Sequence, residues 1–329
     1  MKKNINNRIN RSNSAEAETV FRRFQHTLPF RLLVKGFRAA TKYIPVCILR
    51  IIGIFFVFMF IIFNFGNYTA IRKNLTKICP GKSLLTYSFM AFSVFKNYSY
   101  YLIDLFHLSH DLSRFRKYDV GFSGLENLES ALSEKKGIIL LTTHLGNWEI
   151  GGVKLSSMGR RINVVYSPDS LSLLEHQRSF VRFAEGITEI PLSRGGFSSL
   201  KLLRILREGK TVALQGDRLM FDPGIVSSFF GHDALLPKGP VKLAIVSDSI
   251  ILPVFIPITG FKSYEIIIEK PIYTEKFDDS YIELKTNLNK IIKILEKYIG
   301  IYPTQWYTFM PFWEEDKKVH TNENSSDLP

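Results

Sequence analysis

A histidine and a glutamate five positions apart, His144 and Glu149, are the residues of this 329-residue chain whose types and spacing most directly suggest catalysis. A neutral imidazole titrates near physiological pH and can accept a proton from an alcohol, and a nearby carboxylate can fix its tautomer and stabilise the imidazolium. The pair contains no nucleophile, so it predicts proton abstraction from a substrate hydroxyl. About 0.6 His-to-acid pairs at this spacing are expected by chance, which leaves a structural histidine as the alternative.

The elements that must position the pair favour the catalytic interpretation. Residues 138–141 are a continuous apolar run, which predicts a strand buried on both faces. Gly146 and Asn147 then break the extended pattern before a helix that begins near Trp148. His144 is therefore expected at the carboxyl end of a core strand, where open α/β sheets hold their ligands.

Strand and helix patterns alternate through the rest of the chain. This order predicts an α/β fold with a mainly parallel sheet flanked by helices on both faces. The predicted strands are 162–166, 187–191, 211–215, 250–256 and 264–269, and the predicted helices are 171–183, 197–206, 241–247 and 281–298.

Polar residues follow several of these strands and are expected at the same sheet edge as His144. Arg194 follows strand 187–191, and Asp217 and Arg218 follow strand 211–215. Each arginine could bind a phosphate group or polarise a thioester carbonyl, and each could instead lie on the surface. Lys238, just before helix 241–247, could bind an anion or be solvated.

The amino-terminal part of the chain suggests a membrane surface as a partner. Residues 1–50 hold eleven basic and two acidic residues, and residues 44–65 are strongly apolar. The uninterrupted apolar part, 51–63, would reach about 20 Å as a helix, whereas a bilayer core needs about 30 Å. Basic residues on both sides place both ends on the cytoplasmic face. A helix or hairpin in one leaflet is preferred to a full span.

Segments at the two ends of the chain have no hydrophobic periodicity. We expect a disordered basic tail at 1–18, a membrane-associating segment at 19–83, a catalytic domain at 84–314 and a disordered tail at 315–329. Asp104 and His107 lie three residues apart in a helical region, where a structural or surface role is favoured and a metal-binding or catalytic role is the alternative. Two cysteines form neither a disulfide framework nor a metal-ligand cluster, and none of the motifs requires a metal or other cofactor.

The block HLGNWE at 144–149 resembles the signature of the bacterial lipid A biosynthesis (lauroyl/myristoyl) acyltransferases, within the glycerolipid and lysophospholipid acyltransferase superfamily. Further segments match this family in the same order along 70–313. They are RKNLTKICPGKS at 72–83, GKTVALQGDR at 209–218, FFGHDALLPKG at 229–239 and TQWYTFMPFW at 304–313.

This resemblance implies an acyltransferase that moves a fatty acyl chain from a thioester, either acyl-acyl carrier protein or acyl-CoA, to a lipid hydroxyl. His144 would be the general base and Glu149 would orient it. Arg194, Asp217, Arg218, Asn147 and Lys238 would bind substrate, and the enzyme would work at the cytoplasmic face of the bacterial inner membrane. The family uses no bound cofactor.

The acceptor lipid has two readings. The first candidate is a lipid A precursor. The second is a phosphatidylinositol mannoside, because the sequence Gly216, Asp217 and Arg218 is more similar to that of relatives that acylate this lipid. Those relatives carry Asp where this chain has Glu149. Other classes of function are a lipid hydrolase, although the chain has no G-x-S-x-G motif, and a protein that only binds nucleic acid or membrane. We expect no nucleic acid partner.

Overall fold

The computed structural model of this protein describes residues 28–167, 172–192, 197–220 and 224–313. The expected tails at 1–18 and 315–329 lie outside these residues, as does Arg194. From Leu28 onward the described residues form helices first and then alternating strands and helices.

Within the described residues, four α-helices precede the sheet: α1 (Leu28–Tyr43), α2 (Val46–Phe63), α3 (Phe65–Ile78) and α4 (Leu84–His110). Among the described residues, α2 is the one helix long and apolar enough to cross a membrane. Pro45 precedes its first turn, where the missing N–H needs no partner. The predicted apolar segment is therefore a helix.

One side of α2 packs against α4, and the rest of its surface is open. Val46, Leu49 and Val57 are buried, and so is the Arg50 side chain, which forms an ion pair with Asp104 of α4 at 2.9 Å. The exposed apolar side chains of α2 are Ile48, Ile51, Ile52, Ile54, Phe55, Phe56, Phe58, Phe60, Ile62 and Phe63. An apolar surface of this extent indicates contact with a partner or a lipid phase.

The described residues after α4 contain one large mixed sheet. Its strand order is β1-β10-β8-β2-β5-β3-β4, with β9 paired to β10. All neighbouring pairs from β8 to β4 are parallel, and β10 runs antiparallel to β8. The strands are β1 (Asp119–Ser123), β2 (Ile138–Thr142), β3 (Ile162–Tyr166), β4 (Thr188–Pro191), β5 (Thr211–Gln215), β8 (Ile250–Phe255), β9 (Ile258–Gly260) and β10 (Ser263–Ile268).

In the part of the chain that the structure describes, six helices pack on this sheet. A separate antiparallel hairpin, β6 (Ile225–Phe229) with β7 (His232–Leu236), follows β5. The helices are α5 (Leu125–Ser133), α6 (Trp148–Ser157), α7 (Ser172–Ala184), α8 (Phe197–Arg207), α9 (Gly239–Ser247) and α10 (Ser280–Ile301). The predicted α/β fold with an amino-terminal apolar helix is confirmed.

The two faces of the sheet carry different helices. Ile139 and Leu141 of β2 pack in a core with side chains of α8, α9 and α10. Ile138 and Leu140, which point the other way, pack with α5 and α6. Helices α2, α3 and α4 share a further core with α6 and α7, on this second face. The apolar helix and the α8–α9 pair thus lie on opposite faces of the sheet.

Candidate active site

Strand register brings His144 and Asp217 together. β2 and β5 are parallel neighbours, and their last residues, Thr142 and Gln215, are register partners. His144 and Asp217 each follow two residues later, so both leave the sheet at the same edge. This is the carboxyl edge at which α/β proteins hold their ligands.

A close approach of two backbones fixes the turn after His144. Gly146 has φ of +66°, and a Cβ at this position would lie 1.9 Å from the carbonyl oxygen of Ile256. Asn147 then caps α6, because its side-chain oxygen accepts a hydrogen bond from the Ile150 amide at 3.2 Å. Asn147 is fully buried, and it shapes the turn that presents His144.

The imidazole of His144 is held by the carboxylate of Asp217. Nδ1 lies 2.8 Å from Oδ1 of Asp217, and the His144 amide donates to Oδ2 at 3.2 Å. Asp217 is fully buried, whereas the His144 side chain is 18% exposed. With Nδ1 engaged by the carboxylate, Nε2 is the ring nitrogen available to a substrate.

The carboxyl-terminal aromatic block completes this arrangement. Trp306 donates its indole N–H to Oδ2 of Asp217 at 2.9 Å, and the Tyr307 amide donates to the carbonyl oxygen of His144 at 2.8 Å. Trp306 lies in the hydrophobic core with Leu141 and Phe255. The structure shows that Trp306 also satisfies the buried carboxylate beside His144.

Electrostatics keep Asp217 charged and His144 neutral at neutral pH. Burial alone would raise the pKa of Asp217, but His144, Arg218 and the Trp306 hydrogen bond hold it well below its usual range. Burial and the Arg218 guanidinium lower the pKa of His144, against the opposing effect of Asp217. A neutral imidazole beside a carboxylate is the form that can accept a proton.

Glu149, which the sequence places as the orienting acid, has other partners. Its carboxylate accepts hydrogen bonds from Nε of Arg182 at 3.0 Å and from the indole of Trp148 at 3.1 Å. Arg182 also donates to Glu189 at 2.8 Å, and Arg178 lies 3.8 Å from Glu149. Glu149 therefore joins α6 to α7 through a buried charge network, and Asp217 takes the place next to the imidazole.

The other predicted site residues differ in whether they line the space around His144 and Asp217. Arg218 lines the space around His144, and its guanidinium donates to the carbonyl oxygen of Tyr307. Lys238 is half-buried at the residue before α9, next to Pro237 and Gly239, which line a cavity. Arg194 lies outside the described residues.

Sequence reasoning missed Arg178. Its side chain donates from Nε to the Tyr101 hydroxyl at 2.9 Å and lines the same cavity as His144. It belongs to the middle of α7, so a search restricted to strand ends could not find it. The helical spacing of Arg178 and Arg182, four residues apart and on one face, was the available signal.

Two cavities meet at His144. The α6-side cavity, of about 500 Å³, lies between the sheet and helices α6 and α7. Its apolar lining includes Leu140, Leu155, Val254 and Ile256. Its polar lining includes Glu149, Arg178, Arg182, Gln215 and Arg218.

The α8-side cavity, of about 730 Å³, lies against helices α8 and α9 on the other face. It shares His144, Gln215, Arg218 and Met220 with the α6-side cavity. Its remaining lining is mainly aliphatic, with Leu192, Leu200, Leu202, Leu203, Leu243 and Val246. Both volumes are in the range of ligand-binding pockets.

Within the described residues, no group of three or more His, Cys, Asp and Glu side chains is placed to hold a metal ion. The chemical groups at the site are an imidazole with a carboxylate partner and three arginines, Arg178, Arg182 and Arg218, which line the cavities that meet there. These features suit an enzyme that moves a group from one bound substrate to the hydroxyl of another, with His144 as the base.

Comparison with known proteins identifies the family to which this chain belongs. The model of the bacterial lipid A biosynthesis acyltransferases matches residues 21–315, and the chain belongs to this family. It is therefore an acyltransferase, which implies an acyl donor and a lipid acceptor.

Two relatives are phosphatidylinositol mannoside acyltransferases. The protein from Mycobacterium tuberculosis is 25% identical over 263 residues, which cover 76% of this chain and 78% of the relative. The protein from Mycolicibacterium smegmatis is 28% identical over 198 residues, covering 58% and 62%. The solved 1-acyl-sn-glycerophosphate acyltransferase PlsC from Thermotoga maritima has 14% identity and a TM-score of 0.33, and the match covers 72% of this chain and 97% of PlsC.

Proposed function

We propose that this acyltransferase moves a fatty acyl chain from a thioester on acyl carrier protein to a sugar hydroxyl of a membrane glycolipid. The observation that carries the proposal is the 2.8 Å contact between His144 and Asp217 at the junction of two cavities. His144 acts as the general base. Asp217, rather than Glu149, orients its ring and stabilises the imidazolium.

The transfer needs no acyl-enzyme. Nε2 of His144 takes the proton of the acceptor hydroxyl as its oxygen forms a bond to the thioester carbon. The carbonyl oxygen becomes negative in the tetrahedral intermediate, and the guanidinium of Arg218, which lines both cavities, can offset this charge. When the intermediate collapses, the carbon–sulfur bond breaks and the imidazolium returns its proton to the departing thiolate.

We assign the two substrates to the two cavities from the side chains that line them. The α8-side cavity is the larger and the more aliphatic, which suits an acyl chain on a pantetheine arm. The α6-side cavity carries Glu149, Arg178 and Arg182, which suit a sugar or phosphate headgroup. The acceptor is therefore assigned to the α6-side cavity.

The route of the acceptor supports this assignment. The Phe60 ring, on the open surface of α2, lies 5.8 Å from the Phe95 ring. Phe95 in turn lies 5.3 Å from Phe309, which lines the α6-side cavity together with Tyr98. Aromatic contacts thus join the exposed apolar helix to the wall of this cavity, which lies on the same face of the sheet as α2.

We further propose that α2 anchors the enzyme in one leaflet, at the cytoplasmic face of the inner membrane. The buried ion pair between Arg50 and Asp104 holds α2 along α4. Basic residues lie on both sides of α2, at Lys42 and at Arg72, Lys73 and Lys77. Both ends are then attracted to the anionic cytoplasmic surface.

Two acceptors are to be compared, a lipid A precursor and a phosphatidylinositol mannoside. The family description favours the first, and the relatives favour the second. A direct assay supplies radiolabelled acyl-acyl carrier protein with each acceptor to membranes that hold the wild type or His144→Ala. Labelled lipid is then identified by chromatography and mass spectrometry.

The wild type should label one acceptor, and His144→Ala should lose about 10²- to 10⁴-fold, as expected for a missing general base. His176→Ala, which changes an exposed histidine of α7, is the matched control and should retain activity. Full activity of His144→Ala would refute the mechanism. Release of free fatty acid at the same rate without an acceptor would show a hydrolase instead.

A further inference from the structure

The rim of the α8-side cavity combines apolar and basic side chains. Leu200 of α8 and Val246 of α9 line the cavity and are 67% and 55% exposed. Lys242, one turn from Val246, also lines it and is exposed. Helices α8 and α9 pack side by side here, and Arg207 joins them by donating to the carbonyl oxygen of Val246 at 3.3 Å.

The charged residues of helices α8 and α9 are all basic. Within α8 and α9 the basic residues are Lys201, Arg204, Arg207 and Lys242, and neither helix contains an acidic residue. The Arg204 side chain is 83% exposed, and its partner Glu208, just after α8, also pairs with Lys210. The net charge around the rim of the cavity is therefore positive. A positively charged surface attracts an acidic partner and speeds its association.

The position of this basic surface favours a partner from the aqueous phase. Helices α8 and α9 cover the face of the sheet opposite to α2, α3 and α4. When α2 lies in the membrane, the α8–α9 face is on the other side of the sheet layer. A protein from the aqueous phase can then reach it.

We propose that the α8–α9 surface, made of Leu200, Lys201, Arg204, Arg207, Lys242 and Val246, docks an acidic carrier protein that inserts its acylated pantetheine arm into the α8-side cavity. This inference rests on the proposed function, because it assumes a thioester donor. The basic side chains pair with carboxylates of the carrier. The exposed Leu200 and Val246 contact apolar side chains at the base of the arm.

The test compares two donors of the same thioester. Kinetics are measured with purified acyl carrier protein bearing a lauroyl chain and with lauroyl-pantetheine, which has no protein part. The variant is Lys201→Glu combined with Arg204→Glu, because neither residue lines either of the two cavities described above. The matched control is Lys293→Glu with Lys285→Glu, which reverses two exposed charges on α10.

With the carrier-protein donor, the α8 variant should raise KM by about tenfold or more and weaken the dependence of kcat/KM on ionic strength. With lauroyl-pantetheine, its kcat/KM should match the wild type. The α10 control should behave as the wild type with both donors.

Three outcomes would overturn the docking proposal. The variant could match the wild type with the carrier-protein donor, it could lose equally with both donors, or it could lose binding to vesicles of anionic lipid while its donor kinetics stay unchanged. Failure of the wild type with both donors would instead refute the proposed function.

Discussion

Two regions of this molecule each bring a histidine close to a buried aspartate, and we propose catalysis at only one of them. In the first, His144 contacts Asp217 directly at 2.8 Å and opens onto two cavities. In the second, the Tyr118 hydroxyl stands between His107 and Asp104, at 3.3 and 3.0 Å. The aspartate of this second region is paired with Arg50.

The partners of the two carboxylates explain the difference. Asp104 accepts hydrogen bonds from Arg50, Tyr118 and Tyr264, and this set joins the apolar helix α2 to the sheet. Neither Asp104 nor His107 lines either of the two cavities. A buried His–Asp neighbourhood therefore indicates catalysis only where the imidazole keeps one nitrogen open to a substrate.

The largest effect on activity is expected from Asp217→Asn. The amide cannot stabilise the imidazolium or fix the tautomer as the carboxylate does, so kcat should fall about 10²- to 10⁴-fold. Asp217 also raises the pKa of His144. Its removal should therefore move the acid limb of the pH–rate profile to lower pH, which a measurement of kcat/KM against pH checks.

Glu149→Gln is the matched control for this substitution. Its carboxylate bonds to Arg182 and Trp148, so the loss of activity should be smaller, with the acid limb unmoved. A larger loss for Glu149→Gln than for Asp217→Asn would return the orienting role to Glu149.

The second largest effect is expected on the stability of the fold. Asp104→Asn removes the charge that pairs with buried Arg50, and breaking a buried ion pair typically costs about 3–5 kcal/mol of unfolding free energy. Thermal unfolding in detergent should show a lower Tm, while kcat of the folded fraction stays near the wild-type value. Asp119→Asn, at an exposed site, should leave the Tm unchanged. A loss of kcat without a change in Tm would contradict the structural role of Asp104.

Much of the fold could be predicted from the sequence, because buried strands are short apolar runs. The predicted strands 162–166 and 211–215 coincide with β3 and β5. The placement of His144 at a strand end, with Asp217 and Arg218 at the same edge, followed from the assumption of a parallel sheet. These predictions depend only on local pattern and on the common direction of the strands.

The pairings within the site could not be predicted in the same way. Asp217 reaches His144 because β5 lies beside β2, although β3 and β4 come between them in the chain. Glu149 lies in the first turn of α6, and its bond to Arg182 depends on how α7 packs. The indole of Trp306 arrives from near the carboxyl terminus. Each of these contacts is set by tertiary packing, which local sequence does not specify.

The smallest effect is expected in the dependence of stability on pH. Burial, together with Arg114, Lys262, His110 and Lys117, lowers the pKa of His107 to about 4, against an ordinary value of 6.5. The unfolded chain therefore binds a proton more readily than the folded one in this interval. The contribution of neutral His107 to stability is present above pH 6.5 and is lost as the pH falls toward 4. His107→Gln should then show a smaller drop in Tm than the wild type between pH 7 and pH 4.5.

His176→Gln, which changes an exposed histidine, should keep the wild-type drop in Tm. Because His107 lines neither cavity, His107→Gln should leave the pH–rate profile unchanged, whereas substitution of Asp217 moves it. If His107→Gln moved the acid limb of kcat/KM and left the pH dependence of Tm intact, the two His–Asp regions would have exchanged roles. The proposed distinction between a structural role for Asp104 and a catalytic role for Asp217 would then be wrong.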